Sequence, residues 1–160
     1  MTKQATGLLL DAECTIGLIP PIMTLNFVSQ LHVLVVERDK AVRSLLTTLL
    51  TAYGVSVSVV AEASDALALA EAKPPNAIFT SLVFADMGGF ELCRRLRAMP
   101  GTSHSLIIAL TGYSENGIET RVKDAGFDHY LLKPVSIEVI ISLLDDLAKR
   151  LHADAAAGGD

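Results

Sequence analysis

Five short apolar runs, at 31–36, 55–60, 77–80, 106–110 and 129–132, alternate with five stretches of helical period. This alternation leaves few folds open. Leu31-His32-Val33-Leu34-Val35-Val36 and Leu106-Ile107-Ile108-Ala109-Leu110 are apolar at nearly every position, as suits strands covered on both faces. Between the runs the spacing changes. Val42, Leu45, Leu46, Leu49 and Leu50 mark one helical stripe before Gly54, and Ile137, Ile140, Ile141, Leu144, Leu147 and Leu151 mark another. The Ala- and Leu-rich stretch 63–72 reads as a helix stopped by Pro74-Pro75. Residues 90–99 read as a third helix, with Phe90, Cys93 and Leu96 inward and Arg94, Arg95 and Arg97 outward. Ser114 and Ser136 suit the N-caps of the last two helices, the fourth ending at Ala125-Gly126. Crossovers of this length are right-handed and place helices on both faces of one sheet. The expectation is an α/β, flavodoxin-like (βα)5 open parallel sheet in the order 2-1-3-4-5.

Composition narrows the function classes. The chain of 160 residues is 51% hydrophobic, enough for one well-packed domain and too apolar for general disorder. A net charge of −5 argues against nucleic acid or an anionic membrane as partner. The apolar segment 7–28 is interrupted by Asp11 and Glu13 and broken by Pro20-Pro21, and Lys3 is its only nearby cation. It therefore reads neither as a signal peptide nor as a transmembrane helix. Residues 1–30 are taken as an N-terminal extension that either docks on the domain or lies upstream of a start at Met23. Residues 31–152 form the domain, and 153–160 a small, polar, flexible tail. Cys14 and Cys93 fit no disulfide or metal framework and read as reduced thiols of a cytoplasmic protein. Neither end of the chain carries a helix-turn-helix pattern.

The expected strand order gathers the C-terminal ends of strands one, three, four and five at one edge. Glu37-Arg38-Asp39, Ser81, Thr111 and Lys133 stand there. Singly, these are loop charges, a Thr111-Gly112 turn and a Lys133-Pro134 strand end. At corresponding strand ends, the set is a candidate site.

VLVVERDKAVRSLL, GFELCRRLR, IIALTGYS and AGFDHYLLKPV carry a resemblance in order and spacing. Over 31–152 the chain resembles the receiver domain of bacterial response regulators, the phosphoacceptor module of two-component signalling. The resemblance implies an aspartate after the third strand that attacks a phosphohistidine donor. It also implies an acidic pair after the first strand that holds Mg²⁺, and a Thr or Ser and a Lys that contact the phosphoryl oxygens. Transfer to a carboxylate brings negative charges together, so the cation and the ammonium must offset them. By this likeness Glu37 falls at the first acidic position, Thr111 at the hydroxyl and Lys133 at the ammonium. Tyr130 falls at the switch aromatic, Gly89 at the loop glycine, and Pro134 after a cis peptide bond. The chain departs from the pattern at three positions. Arg38 replaces the second acid, Ser81 occupies the phosphoacceptor-equivalent position, and Ala85 stands where proline is common.

These departures set the functional expectation. Glu37 against Arg38 and Lys133 leaves one surplus positive charge, a poor match for Mg²⁺, so no cofactor is expected. Glu37 and Asp39 are the remaining oxygen-ligand candidates, and Arg38 is expected to pair with one of them. Ser81 lacks a base, since His32 belongs at the opposite sheet edge and His104 precedes strand four, so no catalytic residue is assigned and no enzyme is expected. The reading is a degenerate receiver, a pseudo-receiver, acting without phosphorylation through protein contacts. Its face would be the fourth helix, fifth strand and fifth helix, with Tyr130, Glu115, Arg121, Lys123 and parts of 139–149. A histidine kinase, a response regulator, another signalling protein or a second copy of the chain would be the partner. The alternatives are a genuine phosphoacceptor using Asp86 or Asp39, or a small-ligand binder at the strand ends. Asp86 lies three residues before Gly89 rather than eight, so it reads first as a solvated loop acid, and no glycine-rich phosphate loop supports the ligand binder.

Overall fold

A computed structural model describes residues 28–112 and 115–158; the expectations for 1–27, including Cys14, and for Ser114 lie outside the described residues. The elements are β1 (His32–Val36), α1 (Lys40–Ala52), β2 (Ser56–Val60), α2 (Ala63–Ala72), β3 (Ala77–Ser81), α3 (Gly89–Ala98), β4 (Leu106–Thr111), α4 (Ile118–Ala125), β5 (His129–Leu132) and α5 (Ile137–Ala157). All strand pairs are parallel and the order is β2-β1-β3-β4-β5, the expected topology.

The two-residue alternation of the strands builds two cores. Val33, Val35, Phe79 and Ile108 meet Leu46 and Leu50 of α1 and Ile140 and Leu144 of α5. Leu34, Val36, Ile78 and Ile107 face Ala66 and Ala70 of α2, Leu92 and Leu96 of α3 and Val122 of α4 on the other side. Because each strand contributes to both layers, the central strands are buried along their whole length. Among the described residues, no helix is long and apolar enough to cross a membrane.

Several local expectations are corrected. Arg97 points not into solvent but along the sheet's lower edge. Its guanidinium donates to the carbonyls of Gly126, Ser103 and Ser105 and to the Asp128 carboxylate, at 2.7–3.0 Å. A planar five-donor group can satisfy four loop acceptors at once, which a periodicity argument does not register. Gly126, at φ +105°, turns the chain so that its carbonyl is available there. Helix α4 begins at Ile118 behind Gly117. Ser136 does cap α5 by position, yet its hydroxyl donates to the Glu138 carboxylate and not to a backbone N–H. Helix α5 continues through 153–157 in place of the expected tail, because Ala153, Ala155, Ala156 and Ala157 are strong helix formers. The same extension carries Leu151 past the sheet, so this residue of the expected inward stripe is exposed. The Lys133-Pro134 peptide is cis, as expected.

At the lower end of β1, the His32 N–H donates to Asn76 Oδ1 and ring Nε2 shares a hydrogen bond with Ser58 Oγ, each at 2.8 Å. Nδ1 is buried without a partner. Burial, reinforced by nearby Lys73, holds the imidazole pKa below the ordinary 6.5. The unfolded chain therefore binds a proton more readily than the fold, and stability is lost as pH falls through 6.5 toward the folded value. Denaturant midpoints should decrease between about pH 7 and pH 5, and His32→Gln should flatten that slope; an unchanged slope would contradict it.

Candidate functional site

The upper ends of β1, β3, β4 and β5 converge on one buried carboxylate. Glu37 follows β1, and its N–H donates to Val60 O at 3.1 Å, which anchors the strand end. Oε1 accepts the Asp39 N–H at 3.0 Å. Oε2 accepts two bonds, from Ser81 Oγ at 2.5 Å and from Lys133 Nζ at 2.6 Å. Lys133 Nζ also reaches Ser81 Oγ at 3.3 Å. The Lys133 N–H donates to Thr111 O at 2.8 Å, which fixes the root of the lysine beside the end of β4. Burial alone would raise the Glu37 pKa. The bonds from Lys133, Ser81 and the Asp39 N–H outweigh it and hold the carboxyl below the ordinary 4.5. Glu37 is thus an ionised, fully engaged acceptor.

Two further features shape the site. Arg43, one turn into α1, sends Nη1 back to the carbonyls of Glu37 and Arg38 at 2.6 and 2.7 Å. Gly89 begins α3 so close to the loop after β3 that a Cβ would lie 2.5 Å from Leu82 Cα and 2.6 Å from Ser81 O. Glycine is therefore required where the loop folds back over the strand end. The remaining space is a pocket of about 210 Å³ bounded by Glu37, Ser81, Leu82, Val83, Leu110, Thr111, Gly112 and Lys133.

The strand-end residues are only partly brought together. Glu37, Ser81, Thr111 and Lys133 share the pocket. Arg38 is exposed, does not line it, and among the described residues pairs with neither Glu37 nor Asp39; the cation on Glu37 is Lys133. Asp39 is the N-cap of α1 and accepts the Val42 N–H at 3.1 Å. Asp86 is not a free loop acid. Its carboxylate accepts the N–H groups of Ala63 and Ser64 at 3.3 and 2.8 Å and so caps α2 from another loop. Hydrogen bonds from Ser64 lead in lowering its pKa. Tyr130 points away from the pocket and donates its hydroxyl to Glu119 of α4 at 2.9 Å, a bond that raises the phenol pKa. Arg43 and Glu119 are contributors that the sequence does not single out. The one signal for Arg43 is a cation four residues after a capping acid, and for Glu119 there is none.

A family model described as the response regulator receiver domain matches residues 33–145. The chain belongs to this family. The receiver is 33% identical over 127 residues to an uncharacterized 14.6 kDa protein in the sodA1 3′ region of Leptolyngbya boryana, covering 79% of this chain and 97% of that protein. It is 34% identical over 130 residues to the response regulator MprA of Mycolicibacterium vanbaalenii, covering 79% of this chain and 54% of that one. The receiver thus spans about half the length of the MprA proteins it matches. A two-component response regulator from Clostridium difficile has the same fold, with TM-score 0.70, 22% identity and coverage of 76% and 98%. The receiver domain of the sensor histidine kinase PA1611 of Pseudomonas aeruginosa, solved with a magnesium ion coordinated in its active-site cleft, gives TM-score 0.68 at 25% identity, covering 74% and 98%. Receivers are signalling modules that interact with histidine kinases and other signalling proteins.

Removing the ammonium from this receiver would leave Glu37 buried with weaker partners. Lys133→Met should cost about 1–3 kcal/mol at neutral pH. The sign with pH is fixed by the carboxylate. In the parent, the depressed Glu37 pKa stabilises the fold above 4.5, and this is lost as pH falls. In the variant the bonds from Ser81 and the Asp39 N–H remain but the ammonium does not, so burial is offset less and less stability is gained as pH rises. The gap between the two unfolding free energies should widen from about pH 4 to pH 7; a constant gap would contradict the assignment.

Proposed function

We propose that this receiver does not cycle through Mg²⁺-dependent aspartyl phosphorylation and transmits its signal by protein contacts in one resting conformation. The observation that carries this reading is the closed set Glu37–Ser81–Lys133 at the place where the family resemblance puts the phosphoacceptor. A serine there offers no carboxylate to form an acyl phosphate, and its hydroxyl proton is already directed at Glu37.

The donor set does not fit Mg²⁺. Among the described residues no group of three His, Cys, Asp or Glu side chains is placed to hold a metal. Glu37, the one carboxylate in the pocket, already accepts three hydrogen bonds. The octahedral ion prefers one or two free carboxylates and keeps its waters, which this set does not offer.

The competing readings have less support. Asp39 and Asp86, the substitute acceptors, are each committed to a helix N-terminus. The strand-end pocket, at about 210 Å³, is below the ~300–1,000 Å³ usual for small-molecule sites. The contact surface proposed is the face of α4, β5 and α5. Its side chains include Tyr130 held by Glu119, and Arg121 paired with Glu115 and lying 4.7 Å over the Phe90 ring. With no phosphoryl group to shift the equilibrium, partner binding is the remaining source of bias.

Incubation with acetyl phosphate or a phosphorylated histidine kinase should give no hydroxylamine-labile adduct on the parent chain. Ser81→Asp combined with Arg38→Asp should gain one, dependent on Mg²⁺. Stoichiometric labelling of the parent would overturn the proposal.

A further inference from the structure

Strand β2 ends the sheet, and among the described residues no strand pairs with its outer edge. Two hydrogen bonds fix which backbone groups that edge offers. The Ser56 N–H donates to Leu31 O, and Val60 O accepts the Glu37 N–H, each at 3.1 Å, so Ser56 and Val60 turn their backbone groups toward the β1 segment. The direction alternates along a strand. Ser58 therefore faces β1 as well, and the N–H and C=O groups of Val57 and Val59 point outward.

Edge strands are ordinarily guarded by a lysine, a proline or a bulge. The stretch Val55-Ser56-Val57-Ser58-Val59-Val60-Ala61 has no lysine or proline, and its register with β1 is unbroken. The uncharged run is longer than the strand: no Asp, Glu, Lys or Arg occurs from Ser44 to Ala61. It takes in most of α1, whose Leu45, Thr48 and Ala52 are exposed. Helix α1 lies over this end of the sheet, with Leu46 and Leu50 in one cluster with Val33, Val35 and, at its margin, Val57. The opposite edge differs, since β5 carries His129 with Asp146, Lys149 and Arg150 of α5 beside it.

The stretch selects its occupant. An antiparallel strand related by a two-fold axis at Ser58 sets Val57 of each copy against Val59 of the other, and all the outward groups of these residues are then used. Their side chains meet on the α1 face, where β-branched cross-strand pairs are favourable, and Val59, 40% exposed in the single chain, is covered. A two-fold axis also brings each residue near its own copy, so a charge there would meet its like. In a chain of net charge −5, the run 44–61 avoids this. A charged partner finds no counter-charge on the run, and a second copy finds no repulsion.

We propose that two copies of this chain pair antiparallel through β2, joining their five-stranded sheets into one. The α4–β5–α5 faces then lie at the two outer ends of the joined sheet, so the dimer presents that face twice. Pairing does not depend on whether Ser81 accepts phosphate, so the phosphotransfer assay above and the test below fail separately.

Sedimentation of the full-length chain from micromolar to millimolar concentration should show a monomer–dimer equilibrium. Val59→Lys puts a charge on the edge at an exposed position and should weaken the dimer by about tenfold or more, whereas Leu132→Lys, at an exposed position of the opposite edge strand, should leave it unchanged. Amide exchange on the parent chain needs no substitution. The Val57 and Val59 N–H groups should exchange fast in dilute solution and slow as concentration rises, while those of Ser56, Ser58 and Val60 stay protected throughout. A chain that stays monomeric, a dimer that survives Val59→Lys or is broken by Leu132→Lys, or protection of Val57 and Val59 already in the dilute monomer would each overturn the proposal.

Discussion

The Lys133–Glu37 pair, 2.6 Å between Nζ and Oε2, is the constraint on which the upper edge of the sheet depends. The two residues come from opposite ends of the domain sequence and from non-adjacent strands, β1 and β5. Their contact requires β1, β3, β4 and β5 to end at matching heights, and the parallel register supplies this. A buried carboxylate is costly unless each oxygen is engaged. Glu37 meets that condition with a backbone N–H on Oε1 and a hydroxyl and an ammonium on Oε2. The pair closes the site electrostatically with the chain's own charges.

The neighbouring acids obey the same requirement that buried or orphan polar groups find partners. Asp39 and Asp86 lie within reach of the site in sequence, yet each satisfies orphan N–H groups at the start of a helix. A capping carboxylate cannot turn toward the pocket without exposing the helix end it covers. Arg38, displaced outward, contributes its backbone carbonyl to Arg43 rather than its charge to Glu37. The surplus positive charge counted from the sequence is therefore not concentrated inside: within the pocket Glu37 and Lys133 cancel, and Arg38 sits in solvent.

Strand identity and strand order are legible because each follows from short-range pattern or from order along the chain, and the cis peptide before Pro134 because the family resemblance implies it. The membership of the pocket is legible for the same reason, since strand ends are fixed once strand order is. Side-chain direction is not. Helical period places Arg97 outward, but two acceptors in the loop that follows α3 and two beyond the end of α4 draw it in. Asp86 reads as a free acid because its partners at Ala63 and Ser64 are more than twenty residues away. Proximity in sequence pairs Arg38 with Glu37, and only the three-dimensional arrangement gives that role to Lys133. Hydrogen bonds between separate elements and loops take part in all three, and helical period or nearness in sequence does not predict them.

The most direct measurement is a ¹³C NMR titration of the Glu37 side-chain carboxyl with and without millimolar Mg²⁺. A midpoint below 4.5 that Mg²⁺ does not move is the predicted result. A midpoint at or above that value, or one displaced by the metal, would contradict the closed Glu37–Ser81–Lys133 set.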